Sequence, residues 1–366
     1  MKPFARILQQ AIAHLALRWK LKKADGGAPC VFYAGKVPSP GKKASGGAVK
    51  MGYLSRKYPD GGYRGNLLYL VSSALPKAPL AWAIEARKKS ITVVLNQNGV
   101  AYPAWAAPEV MKRINERNHE LAELSHHIVF QSDFCRNAYG RWVGKVPANQ
   151  SIIYNPVDTD HFRPPAAAEK ITSEIVIMGS SAQPDRIRLP LEVIALAKKR
   201  GERLRLRIAG KLHWPRAEED LSQWLADLDI SDRVEWLGTY QQEDAPAIYG
   251  SAQLLLHMQD KDASPTVPLE AMACGLPVVA IQSGGLPELV PERAGLLLPV
   301  QEDWDSFHYP SPESILDAVW KCMENRKDFS QFARTWVAER FSLPIFLEKH
   351  EQVFRDVLAR TIGQMR

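Results

Sequence analysis

Short runs of β-branched and aliphatic residues alternate along the chain with longer stretches whose apolar positions recur every three or four residues. The runs at 31–34, 67–71, 91–95, 127–130 and 151–154 read as strands. The stretches 48–58, 79–89, 107–124 and 133–143 between them read as helices. Residues 155–170 break this rhythm with Pro156, Pro164, Pro165 and a run of alanines, as a linker does. The alternation then restarts. Strands are expected at 174–178, 204–209, 234–237, 253–256, 277–281 and 295–298, and helices at 189–200, 218–228, 245–250, 268–274, 312–325 and 330–341. A final helix over 343–361 carries Phe346, Val353, Phe354 and Leu358 on one face. Steady strand–helix alternation implies parallel sheets covered by helices. The fold class is therefore α/β, with two Rossmann-like domains. Their expected bounds are 24–157 and 165–342, with 343–366 packing back on the first. Ligands on such sheets bind at the carboxyl ends of strands, so two facing sheets would form an inter-domain cleft.

Residues 1–23 follow a different pattern. Phe4, Ile7, Leu8, Ala11, Ile12, Leu15 and Trp19 form a helical stripe, flanked by Lys2, Arg6, Arg18, Lys20, Lys22 and Lys23. A basic amphipathic helix can lie on an anionic bilayer or pack on its own domain. Both readings are open. No h-region with a small-residue cleavage site is present, so a secretory signal is not expected. No apolar run reaches the roughly 18–20 residues that span a bilayer.

Composition adds two points. The 366 residues carry a formal charge of +7, which suggests an anionic partner: nucleic acid, membrane surface or a phosphate-bearing ligand. Lysines and arginines are scattered and no nucleic-acid recognition module appears, so nucleic acid ranks last. Cys30, Cys135, Cys274 and Cys322 are widely spaced and fit reduced thiols in a cytoplasmic protein. No histidine has partners at metal-ligand spacing, and no metal site is expected.

The chemistry concentrates in 262–280, DASPTVPLEAMACGLPVVA, followed by SGGLPELV at 283–290. This reads as a loop, a short helix and a buried strand. The backbone of the segment Ser264, Pro265, Thr266 and Val267 would present N–H groups to a phosphate at the helix N-terminus. Asp262 and Glu270 bracket that site, and carboxylates accept hydrogen bonds from vicinal hydroxyls. Phosphate between two hydroxyl-binding acids suits a nucleotide sugar.

This run resembles retaining glycosyltransferases of family 4, the GT-B glycosyl transferases group 1, whose pattern is E-x(7)-E, then E-A-M-A-C-G-x-P-V-V and G-G-x-P-E. Asp262 stands where the pattern has its first glutamate. Residues 151–164, SIIYNPVDTDHFRP, are similar to the run that opens the family's second domain, and 131–136 and Ser45-Gly46-Gly47 resemble its first-domain segments. The resemblance implies that Glu270 holds the ribose hydroxyls, Asp262 contacts the transferred sugar, and the 264–267 backbone holds the donor phosphate. Gly46 and Gly47 would let the first-domain loop approach the diphosphate or acceptor, where a Cβ would obstruct.

The chain also departs from the pattern. The arginine expected after the first strand of the second domain is Ser180; Arg186 or Arg188 would stand in for the diphosphate-binding cation, with Lys211 a further candidate. A first-domain histidine near the transferred sugar is replaced by Asn96-Gln97-Asn98-Gly99, so Asn98 would hydrogen-bond a sugar hydroxyl, with Gln97 second. Lys36, Lys42 and Lys43 lie in the loop 35–47, which with 98–105 would set acceptor choice.

The expected activity is metal-independent transfer of a sugar, with retention, from a UDP- or GDP-type donor to an acceptor hydroxyl of a glycan or lipid-linked glycan. No cofactor is expected. The alternatives are a non-catalytic GT-B sugar- or membrane-binding protein and a GT-B epimerase or phosphorylase. The expected location is cytoplasmic, with the inner membrane face as a peripheral site.

Overall fold

The computed structural model describes residues 3–35, 37–38, 46–164 and 173–363. Lys36, Lys42, Lys43 and Ser45 lie outside the described residues, as do residues 165–170 of the expected linker. The chain forms two compact units, Met1–Asn155 with Leu343–Arg366, and Pro156–Ser342.

In the first unit, β2 (Val31–Phe32), β4 (Leu67–Val71), β5 (Thr92–Gln97), β6 (His127–Phe130) and β7 (Gln150–Ile152) make a parallel sheet in that order. Its described strands follow chain order without a reversal. A small pair, β1 (Lys22–Lys23) with β3 (Arg64–Gly65), lies outside it. Both faces of the main sheet are apolar, because helices cover both. On one face, Tyr69, Val71, Val94 and Val129 pack with Met51 and Leu54 of α2 (Gly46–Lys57) and Phe346, Phe354 and Leu358 of α13 (Leu343–Gly363). On the other, Phe32 meets Trp82 of α3 (Pro79–Lys88) and Phe130 meets Tyr139 of α5 (Asp133–Trp142). The Tyr69 hydroxyl is 2.9 Å from His350 Nε2, and burial pushes this histidine down to about 3, so it is neutral.

Helix α1 (Pro3–Lys20) rests on α3. His14 Nδ1 lies 3.1 Å from Glu85 Oε1, Gln10 accepts from Ala81 N, and Leu17 and Leu21 are buried. Its opposite side leaves Ile12, Leu15 and Trp19 exposed by 59%, 65% and 80%.

The second unit holds six parallel strands: β8 (Glu174–Met178), β9 (Arg205–Ala209), β10 (Val234–Gly238), β11 (Leu254–His257), β12 (Val278–Gln282) and β13 (Gly295–Pro299). Their order is β10-β9-β8-β11-β12-β13. The order reverses between β8 and β11, and the crevice beyond the carboxyl ends of those two strands is where such sheets bind ligands. Helix α6 (Asp185–Lys199) begins four residues earlier than its periodicity suggested. Pro190 sits inside the helix as its sixth residue, where it gives up a bond to the preceding turn and its ring crowds the carbonyl of Arg186. Arg334 of α12 (Arg326–Arg340) fastens the entry segment to the core, donating to Thr159 O, Phe162 O and Ala273 O.

Candidate functional site

Four segments converge on the β8/β11 switch point. The turn after β8 begins at Gly179, with φ +91°, where a Cβ would lie 3.2 Å from Val267 Cγ2. The loop after β9 lies beside it, since Ser181 N donates to Lys211 O at 2.9 Å, and Lys211 keeps an exposed side chain. Helix α6 supplies Arg186. The turn after β11 leads through Asp262 into α9 (Thr266–Ala273).

Glu270 lies within α9 and is half-buried. Its Oε2 accepts from the Tyr249 hydroxyl at 3.0 Å, and the same hydroxyl lies 3.3 Å from Val267 O. Tyr249 belongs to α8 (Ala245–Gly250) and is itself buried. Desolvation pushes Glu270 up to about 7, so near neutrality it is poised between acid and carboxylate. Half-buried Tyr240 and buried Tyr249 have phenols raised above their usual range, first by desolvation and then by Glu270. They act as neutral hydrogen-bond donors and acceptors.

The first turn of α9 presents fewer amides than its sequence suggested. Pro265 is the residue before the helix and Pro268 its third residue, and neither has an N–H. Thr266 and Val267 supply the N–H groups that the first turn leaves unbonded, and Ser264, buried, precedes them.

Asp262 reaches partly to solvent, with a side chain 21% exposed. Its backbone is held from the far side. Gly285 N donates to Asp262 O at 2.8 Å, and Gly284 takes φ +64° where a Cβ would sit 2.3 Å from that oxygen. Next to it, Lys261 adopts φ +55° and forms a buried ion pair with Asp260, whose other oxygen accepts from Ser283 Oγ. Lys261 Nζ also reaches Ser306 O at 3.2 Å, so the turn is braced from two loops.

Arg186 and Arg188 have different places. Arg186 is 5% exposed and donates to Met178 O and Ser180 O at 3.0 and 3.1 Å. It ties down the turn that opens the site. Arg188 lies on the outer surface of α6, 3.2 Å from Glu192, and is not brought to the others.

In the first unit the glycines and amides also gather, at the carboxyl ends of β4, β5 and β6. Gly46 and Gly47 belong to the first turn of α2, not to a loop. A Cβ at Gly47 would lie 2.3 Å from Ser73 Oγ and 2.9 Å from Val71 Cγ1, so the tight approach is to the protein's own chain. Asn98 is nearly buried and fully engaged: its Oδ1 accepts from Lys50 Nζ at 2.9 Å and its Nδ2 donates to Ser73 Oγ. Gln97 turns its Nε2 to Gly99 O.

Lys50, Tyr249 and His257 were not singled out from sequence. Lys50 Nζ is buried against three carboxamide oxygens, of Asn96, Asn98 and Gln131, at 2.8–2.9 Å. Desolvation lowers it to about 7. A signal existed: Gly47, Lys50, Met51 and Leu54 share one helical face, and a lysine on the apolar stripe is conspicuous. His257 closes an otherwise aliphatic strand at its carboxyl end. Tyr249 carries no such mark. Among the described residues, no cluster of His, Cys, Asp and Glu could hold a metal ion, and no helix is long and apolar enough to cross a membrane.

Residues 161–336 match the family described as Glycosyl transferases group 1. That match takes in most of the second unit, Pro156–Ser342. It is 34% identical over 173 residues to the D-inositol 3-phosphate glycosyltransferase of Mycobacteroides abscessus, covering 43% of this chain and 38% of that one. It is 28% identical over 302 residues to the enzyme of the same name from Saccharomonospora viridis, covering 77% and 67%. The chain spans about two fifths of the length of the first curated relatives it matches. Among solved structures, Anabaena HepE in complex with UDP and glucose superposes with a TM-score of 0.68 at 15% identity, covering 88% of this chain and 98% of that one. That likeness shows the GT-B fold.

Proposed function

We propose that the protein transfers a sugar from a nucleoside-diphosphate donor to an acceptor hydroxyl, with retention and without a metal. One observation carries the reading: Glu270, held by Tyr249, stands on α9 beside the Thr266 and Val267 amides at the β8/β11 switch point. A carboxylate suits the ribose hydroxyls, and helix amides suit the diphosphate. Asp262 would meet the transferred sugar. Lys211, exposed beside the turn after β8, is the cation best placed for phosphate, with Arg186 shaping that turn. In the transfer, the bond from sugar C1 to the diphosphate oxygen breaks and a bond from C1 to the acceptor oxygen forms. The acceptor proton leaves on the diphosphate, whose charge the amides and the cation stabilise. HepE, solved with UDP and glucose, supports a UDP-type donor. A glycan or lipid-linked glycan is the proposed acceptor.

Nucleotide release from a panel of UDP- and GDP-sugars tests this. Turnover with at least one donor is expected, and Glu270→Ala is expected to lower it at least about 100-fold by removing the ribose contact. Release by Glu270→Ala at the wild-type rate would contradict the assignment.

A second partner is favoured by α1. Ile12, Leu15 and Trp19 are its exposed apolar stripe, beside Arg18, Lys20, Lys22 and Lys23. We propose that this stripe rests on an anionic membrane surface, such as the inner face of the cytoplasmic membrane. Sedimentation should occur with phosphatidylglycerol vesicles, weaken with phosphatidylcholine alone, and fall for Leu15→Ser/Trp19→Ser. Equal sedimentation of that variant would contradict it.

A further inference from the structure

Asp262 is one methylene shorter than the glutamate of the family pattern, and the structure shows what it is withdrawn toward. His257 ends β11 with its ring buried, and its Nε2 lies 3.4 Å from Asp262 Oδ2. Neither ring nitrogen makes a full hydrogen bond among the described residues, and Nε2 is the one that faces the carboxylate. The backbone at Asp262 is already fixed by Gly285 N and by the close packing of Gly284. What remains free is the rotation of a short, partly exposed carboxylate, and the imidazole is the group within reach of it. Burial and nearby Arg186 both favour the uncharged ring, despite the pull of Asp262 toward protonation. An uncharged ring carries one hydrogen, and contact with a carboxylate assigns it to Nε2.

We propose that His257 is a positioning residue for the transferred sugar: its Nε2–H sets the rotation of Asp262, so that an Asp–His pair does the work of one longer glutamate. This rests on the reading of Pro156–Ser342 as the donor-binding unit. Asp262 presents its remaining acceptor sites to the sugar hydroxyls while His257 stays behind it. The nucleotide and diphosphate, held by Glu270 and the α9 amides, do not depend on the pair. His257 therefore contributes to sugar recognition and leaves nucleotide recognition alone. A histidine that only fills space in the core would show no such division.

Calorimetric titrations with UDP, GDP, UDP-glucose and GDP-mannose separate the cases. The wild type should bind at least one sugar nucleotide more tightly than its parent diphosphate. His257→Leu should keep the affinity for that diphosphate within about twofold and weaken the sugar nucleotide about tenfold, the size of one well-placed hydrogen bond. His257→Gln, whose Nε2 can take the place of the ring nitrogen, should retain most of the wild-type affinity. Asp262→Asn should show the loss of His257→Leu or more, and the double variant should lose no more than Asp262→Asn alone. Equal losses for diphosphate and sugar nucleotide, unchanged binding in His257→Leu, no rescue by His257→Gln, or additive losses would each overturn the role of His257. A wild type that binds none of the four ligands would instead overturn the donor reading, and the role of His257 with it.

Discussion

Glu270 and Lys50 are ionisable side chains that burial shifts in opposite directions. Glu270 moves from 4.5 up to about 7, so between those values the folded chain keeps a proton that the unfolded chain has lost. Stability then falls as pH rises through that window and is level above it. Glu270→Gln removes the penalty, so its unfolding free energy from urea titration should exceed that of the wild type at pH 8, by on the order of 1–2 kcal/mol, with the gap closing at pH 5. Ribose hydroxyls favour the carboxylate, so nucleotide affinity should rise between pH 6 and 8, with proton release on binding. Lys50 moves from 10.5 down to about 7, so the unfolded chain holds the extra proton between those values. Its burial is costliest below about pH 7, and stability should rise with pH from there to about 10.5. Lys50→Met should flatten that slope, as urea midpoints at pH 7 and pH 9 would show. Asp262 and Glu270 were legible in the sequence because their spacing belongs to a run. Lys50 and His257 were not, because what distinguishes them is what they touch: three carboxamides brought from β5 and β6, and a carboxylate from the next turn.

At the scale of elements, strand–helix alternation located most strands and helices to within a few residues, since both faces of each sheet are covered and the apolar runs are continuous. The errors have local causes. Helix α6 runs through Pro190 because its buried face, with Ile187, Leu191 and Ile194, offsets the bond the proline gives up, and α2 absorbs Gly46 and Gly47, with Gly47 lying against Ser73 and Val71. Arg334 ties elements of the second unit together, reaching one carbonyl at the end of α9 and two in the 159–162 segment. Arg334→Leu leaves those three carbonyls without their donor and should destabilise the protein by about 2–4 kcal/mol, read as a lower urea midpoint. Gly284→Ala meets both a positive φ and the Asp262 carbonyl. It should weaken sugar-nucleotide binding more than diphosphate binding, measured by titration.

For the whole molecule, the strand order supplied what sequence could not. The motif at 262–290 pointed to a nucleotide sugar, but periodicity does not say which strands are neighbours. The reversal between β8 and β11 brings Gly179, Arg186, His257, Asp262 and Glu270 to one sheet edge. The +7 charge also acquires places, on the α1 surface and at Lys211, while Arg188 is paired on the outside. This edge is expected to bind a nucleoside-diphosphate sugar through Glu270. Titration of the wild type and Glu270→Ala with UDP- and GDP-sugars tests it most directly. Saturable binding of at least one sugar nucleotide by the wild type, lost in Glu270→Ala, is the result expected; no binding by the wild type, or equal binding by the variant, would contradict it.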